Sequence, residues 1–360
     1  MPYFMDFHIF DQVTVEEVKQ AHVADRSVQN RYGVKYMQFW VNLDMGTVFC
    51  LMEGPNAEAC AKVHHEAHGN VACNITEVQK GFYEQFMGAS PLLDHGLVLK
   101  QNGRVDSGLR YLMVVDLVNL TRVSHPAEYR KLLNPSRPQA IVSNTIREFK
   151  GKEIKNQWDN SLLAVFDEED FALLCALEIK KLLKDLNESV RYKIALATGQ
   201  PVSEHQGFFE ESLSECQLLN VLAQEGEVVL DTRIHVPSKM KERMASEPEF
   251  RQLSQSQSSF ARTFFELVNK YLNDSNFSVN FMTTQLGISR PQLYRKIIEL
   301  TGRSPNQFLR DIRLRKALAL IQENKYNVSE IAYEVGFGNP SYFTKRFQEK
   351  YGISPSKVAG

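Results

Sequence analysis

Two stretches near the C-terminus repeat one local grammar about fifty residues apart. In SVNFMTTQLGISRPQLYRKIIELTG, an apolar turn of helix runs up to Gly287, which supplies a tight turn. Ser289 and Gln292 then form a capping box with Pro291 in the first turn, so a new helix must start there. NVSEIAYEVGFGNPSYFTKRFQEKYG follows the same order: Asn327 and Glu330 as capping box, Gly336 at the turn, Asn339 as cap and Pro340 at the first helical position. Between them, SPNQFLRDIRLRKALALIQEN reads as one helix capped by Ser304 and Gln307. Its ~19 residues at ~1.5 Å each make a rod of ~28 Å. The segment contains no convincing strand; a plain helical bundle whose charges form a solvated face is the alternative to paired helix–turn–helix units.

Charge separates this segment from the rest. Residues 260–360 hold 15 Lys/Arg against 8 Asp/Glu, although the 360-residue chain has a formal net charge of −1. A basic end on an acidic body points to a polyanionic partner. The second helix of each unit places basic and polar residues along its exposed N-terminal half. Two such helices on a rod of this length suit successive major grooves, ~34 Å apart. Residues 262–358 resemble the AraC-type DNA-binding domain. The resemblance implies sequence-specific recognition of double-stranded DNA. The contacts it implies are Arg290, Gln292, Arg295 and Lys296 in the first unit, and Asn339, Ser341, Tyr342, Thr344, Lys345 and Arg346 in the second. Arg and Gln suit base edges, whereas Lys, Ser and Thr more often fix phosphates.

Residues 1–80 read β-α-β-β-α-β. Strands rich in aromatic and β-branched residues (YFMDFHIF, VKYMQFWVNL, TVFCLMEG) alternate with helices started by Thr14–Glu17 and Asn56. The second helix ends in VHHEAHG, with His64, His65 and His68 in five residues. His64 and His68 are four apart and share a face. Five of the nine histidines fall in the first 68 residues, and imidazoles suit nickel, zinc or copper. A solvated polar face is the plain alternative. YFMDFHIF, HVADRSVQNRYGVKY, GTVFCLMEGPNAEA and VHHEAHG resemble a small family of ferredoxin-like α+β domains that includes a nickel-binding protein and tends to pair two copies into a barrel. That resemblance implies His8, His22, His64 and His68 as ligands, nickel or another divalent transition metal as cofactor, and a homodimer. His65 fits the pattern less well, and Cys50 reads as a buried thiol.

Residues 106–238 repeat the αβ grammar. VVDLVNLT, KGKEIKNQWDNSLLAVF and VRYKIALATGQ resemble the class III adenylate/guanylate cyclase domain. Asp116 and Asp159 stand where that family binds two metal ions, and Lys155 where a base-reading lysine is expected. The departures are larger: Trp158 replaces a glycine, and Leu213 and Gln217 replace the Asn and Arg that stabilise the transition state. The expectation is a degenerate, non-enzymatic domain, with Asp116 and Asp159 vestigial, retained for dimerisation or for a small-molecule or nucleotide effector. Ordinary exposed carboxylates are the alternative for both.

The expected fold is therefore multidomain α+β: two ferredoxin-like βαββαβ domains (1–82 and 106–238), then an all-α tandem helix–turn–helix domain (260–360). Residues 83–105 and the polar 239–259 read as linkers. Nothing approaches the ~20 apolar residues of a membrane span. The first residues lack a secretion signal, and five cysteines without a CxxC motif suit a reduced, cytoplasmic protein. The functional expectation is a transcription regulator whose N-terminal part senses an effector. A nucleotidyl cyclase fused to a DNA-binding domain, or a metal-buffering protein, are the alternatives.

Overall fold

The computed structural model describes residues 1–89, 91–118, 136–154, 161–186, 190–237, 250–323 and 325–359. The N-terminal unit runs β1 (Tyr3–Ile9), α1 (Val15–Val28), β2 (Lys35–Asn42), β3 (Thr47–Glu53), α2 (Ala57–Ala67) and β4 (Asn74–Val78). Thr14 and Glu17 close a reciprocal capping box, and the Asn56 side chain accepts from the Ala59 N–H, so both helices start where the local chemistry places them. β1 pairs antiparallel with β3 and β4, and β2 with β3, giving the ferredoxin-like order β4-β1-β3-β2.

Residues 83–105 are not a plain linker. They hold most of α3 (Lys80–Met87) and the hairpin β5 (Leu92–Asp94) and β6 (Leu97–Leu99), which joins the edge of β2 and widens the sheet to six strands. The reason is packing. Tyr83, Phe86 and Met87 recur at helical spacing and are all buried, while the glycines merely bound the elements.

β7 (Arg110–Val118), α4 (Ser136–Glu148), β8 (Lys152–Ile154), β9 (Ser161–Phe166), α5 (Glu169–Asp185) and β10 (Arg191–Gly199) repeat the topology in the order β10-β7-β9-β8. α6 (Glu210–Leu222) then carries the chain to β11 (Val228–Leu230), which adds parallel to β10. β12 (Phe250–Gln252) pairs with β11, and α7 (Gln255–Tyr271) starts at a Ser254–Gln257 capping box. The end of the segment read as a second linker is thus a strand and the first turn of a helix.

Strand alternation decides what each sheet face meets. In the first sheet, Phe4, Val48, Cys50 and Met52 pack with Val18, Cys60 and Val63 of α1 and α2. The opposite face presents Met5, Phe7, Trp40, Phe49 and Leu51 to α3, to Phe208 and Phe209, and to Leu112, Val114, Ala195 and Ala197 of the second sheet. Phe86 stacks on Phe209 with ring centroids 4.5 Å apart. Fully burying one such side chain contributes ~1.5–3 kcal/mol. The open face of the first sheet is therefore covered by this chain's own middle domain. The far face of the second sheet buries Met113, Val115, Ile194 and Leu196 under α4 and α5.

The last part is helical: α8 (Val279–Leu286), α9 (Arg290–Thr301), α10 (Pro305–Glu323), α11 (Val328–Glu334), α12 (Pro340–Tyr351) and α13 (Pro355–Ala359). Phe264, Leu293, Ile297 and Phe308 continue the core of the middle domain, whereas Leu314, Ile331, Val335, Phe343 and Phe347 form a separate core. Buried Arg313 ties the two halves, donating from Nε to the Leu272 carbonyl (3.0 Å) and from Nη2 to that of Asp274 (2.7 Å). Gly336, at φ +85°, lies so close that a Cβ would sit 2.4 Å from the Leu272 oxygen. No helix of the described residues is long and apolar enough to cross a membrane.

Candidate functional site

The helix-facing side of β1 carries Asp6 and His8; α1 contributes His22 and Asp25, and α2 contributes His64 and His68. His8, His22, Asp25, His64 and His68 line one cavity of about 330 Å³. His64 is its hub. Its Nε2 lies 2.6 Å from Asp6 Oδ2 and 3.0 Å from the Tyr36 hydroxyl. Its Nδ1 lies 3.2 Å from Asp25 Oδ1 and 3.3 Å from His68 Nε2, and His68 Nε2 is itself 3.2 Å from the same Asp25 oxygen. Three donor atoms thus form a nearly equilateral triangle. His8 Nε2 stands 3.5 Å from Asp6 Oδ2 on the other side.

Electrostatics follow from this arrangement. Burial opposes ionisation of Asp6, but the charges and hydrogen bonds of His8 and His64 outweigh it and hold its carboxyl well below the usual range. Burial likewise works against charging His64, but hydrogen bonds and charges from Asp25 and Asp6 push its pKa up to about 10. Cys50 is buried and its thiol is pushed up, so it stays protonated. His65 points to solvent.

The chemistry of the donors fits a divalent transition metal. Imidazole nitrogens and a carboxylate oxygen come within 4.8 Å of one another in two sets, Asp6–His8–His64 and Asp25–His64–His68. Asp25 Oδ1 is buried and, among the described residues, makes no well-aligned hydrogen bond, although the two imidazole nitrogens stand 3.2 Å from it. A buried carboxylate oxygen that faces two imidazole nitrogens without a well-aligned hydrogen bond to either is what a metal would complete. His22 differs: among the described residues neither of its ring nitrogens has a hydrogen-bond partner, burial pulls its pKa down to about 4, and its ring packs 4.9 Å from Phe39 and against Gly96. It lines the cavity but belongs to neither donor set. Asp6 and Asp25 escaped the reading from sequence. Their signals were spacing alone, since Asp6 is two residues before His8 on a strand and Asp25 three after His22 on a helix.

In the helical domain, the expected contacts lie on α9 and at the start of α12. Arg290, Gln292, Arg295, Asn339, Ser341, Tyr342 and Lys345 are exposed, and Lys296, Thr344 and Arg346 are half-buried. Several are already engaged. Gln292 Oε1 accepts from the Ser289 N–H and Asn339 Oδ1 from the Tyr342 N–H, so both side chains serve as caps. Lys296 Nζ sits 4.7 Å from the Phe260 ring centroid, and Arg346 Nη1 donates to Glu349 at 2.6 Å. Arg290 stands 5.7 Å over the Tyr294 ring centroid, and Arg295 is exposed on the same helix.

In the middle domain, the Asp116 carboxylate lies 3.6 Å from Arg315 Nη1 of α10. Lys155, Trp158 and Asp159 lie outside the described residues. Leu213 and Gln217 are both half-buried on α6.

Residues 282–359 match the family described as Helix-turn-helix domain. The C-terminal domain is an AraC-type helix–turn–helix domain. Residues 4–78 match the family described as Nickel responsive protein SCO4226-like, and the N-terminal domain is of that kind. Histidine kinase P4 of Formosa agariphila is 33% identical over 129 residues, 36% of this chain and 9% of that protein. The HTH-type transcriptional regulator MtrA of Neisseria gonorrhoeae is 31% identical over 93 residues, 25% of this chain and 31% of that protein. The chain therefore spans less than a third of the length of either relative. The solved structure of SCO4226 from Streptomyces coelicolor A3(2) is 42% identical, with a TM-score of 0.21, over 21% of this chain and 94% of that one.

Proposed function

We propose that this protein is a cytoplasmic transcription regulator that binds double-stranded DNA through α9 and α12 and answers to nickel, or a similar divalent transition metal, held in its N-terminal domain. The observation that carries the reading is the joint presence of two exposed, capped helices on an AraC-type domain and a buried His–Asp triangle in a nickel-responsive-type domain. Asp25, His64 Nδ1 and His68 Nε2 would hold the metal. Asp6 would orient His64 by accepting from Nε2–H, which leaves the Nδ1 lone pair facing the cavity. A bound metal supplies a cross-link between α1, which carries Asp25, and α2, which carries both histidines.

The middle domain serves as the coupling element rather than as an enzyme. It packs on the open face of the first sheet and on α7, and its Asp116 faces Arg315 of α10. A change in how α1 and α2 sit against the first sheet would reach DNA binding through that packing only if the metal prefers one arrangement. A homodimer would use a surface other than the sheet face buried against α3 and Phe208.

Genome-wide binding of the full chain with and without nickel tests the reading. Discrete promoter sites whose occupancy changes with nickel are expected. Occupancy indifferent to nickel would remove the sensing role, and absence of preferred sites would remove the regulator reading itself.

A further inference from the structure

Lys193 on β10 stands directly across from Asp116 on β7, so both side chains leave the same face of the second sheet. That face looks toward α10. Lys193 is 1% exposed, and its ammonium has no hydrogen-bond partner among the described residues. Its charged neighbours are Arg315, Arg303, Lys350 and Asp116. Among the described residues, the carboxylate in this group and Asp311 beside its cations are already taken. Asp116 faces Arg315 at 3.6 Å; Asp311 is shared between Arg303 at 3.1 Å and Lys350 at 3.2 Å. Among the described residues four cations thus meet two carboxylates, and Lys193 is the cation with no ion pair or hydrogen bond.

Burial, followed by the charges of Arg315 and Arg303, pushes the Lys193 pKa down to about 7. Burial also pulls Lys350 down to about 8. Burial is the main cause of both shifts, and the Arg315 and Arg303 charges add to it in each, against Asp116 and Asp311 respectively. An uncompensated buried ammonium is costly and calls for an explanation in a folded protein. A multiply charged oxyanion supplies what the group lacks, acceptor oxygens and negative charge.

We propose that the seam between the second sheet and α10 is a binding site for a phosphate oxyanion, with Lys193 as its buried anchor and Arg315, Arg303 and Lys350 as its rim. The groups come from three parts of the fold: Lys193 from the middle domain, Arg303 and Arg315 from the turn before α10 and from α10 itself, and Lys350 from the second helix–turn–helix unit. An anion held among them fixes α10, the rod that spaces the two DNA-facing helices, against the middle sheet. This site is separate from the His–Asp cluster and does not depend on metal binding there.

The test uses the full chain, with inorganic phosphate, pyrophosphate and ATP as probes in calorimetric titration at low ionic strength. Saturable binding by at least one probe is expected, weakened about tenfold or more in Lys193→Met and in Arg315→Gln. Tighter binding of ATP identifies a nucleotide-borne phosphate, and equal binding of inorganic phosphate a free one; both support the site. The thermal midpoint of Lys193→Met without any anion is the second readout. Replacing an unpaired buried ammonium by an apolar side chain of similar length should leave it unchanged or raise it. Absence of binding by all three probes at millimolar concentration overturns the proposal, as does binding that both variants retain at parental affinity.

Discussion

Exchanging Asp6 for asparagine changes one atom and reverses the hydrogen bonding of the metal cluster. Asp6 Oδ1 accepts from the Cys50 N–H at 2.8 Å, and Oδ2 faces His64 Nε2 at 2.6 Å. In Asp6→Asn the carbonyl oxygen can keep the Cys50 bond, but the amide nitrogen then faces His64. Two donors cannot share that contact, so His64 must take the tautomer with its proton on Nδ1. Nδ1 is the nitrogen that faces Asp25 and His68. The substitution therefore shuts the lone pair a metal needs while leaving Asp25, His64 and His68 in place. Losing such an orienting carboxylate weakens metal binding by ~10–100-fold, or ~1.4–2.7 kcal/mol. Nickel titration against a competing chelator measures it, with circular dichroism to establish that the variant is folded. A folded Asp6→Asn protein that binds nickel as tightly as the parent would refute the role given to Asp6.

Arg295→Ala should weaken binding to a preferred DNA site by ~1–3 kcal/mol if its guanidinium reads a base, as measured by fluorescence anisotropy; unchanged affinity removes it from the interface. Nickel affinity should rise with pH. The His64 pKa, raised from 6.5 to about 10, means that a proton must leave Nδ1 for metal to enter, so each pH unit between 7 and 9 should gain up to ~10-fold, and a flat profile contradicts the assignment. Gly336→Ala adds a Cβ 2.4 Å from a backbone oxygen at φ +85° and should cost more than ~1 kcal/mol in urea unfolding. A neutral result would show that α11 and α12 can shift away from Leu272.

Local chemistry was legible in the sequence, and long-range assembly was not. The caps at Thr14, Asn56, Ser289, Asn327 and Asn339 each involve residues within three positions, and the structure has them all. Both βαββαβ units were readable from strand and helix alternation for the same reason. The spacing of His64 and His68 on one helix face was visible too. Asp6 and Asp25 were not singled out, because a carboxylate is common and only folding brings these two to His64, 58 and 39 positions away. α3 was hidden by the glycines around it, although Tyr83, Phe86 and Met87 carried the helical spacing. The meeting of Asp116 with Arg315, and the burial of Lys193 beneath it, depend on one domain docking against another, and no local pattern encodes that.

The central claim is that metal in the first domain alters how the last one meets DNA. The most direct measurement is the affinity of the full chain for a promoter fragment, selected from its own genome-wide sites, titrated with and without nickel, in parent and His64→Ala/His68→Ala proteins. The account predicts that nickel shifts the parent's affinity and leaves the double variant's unchanged. Equal shifts in both proteins, or none in the parent although nickel is bound, would contradict it.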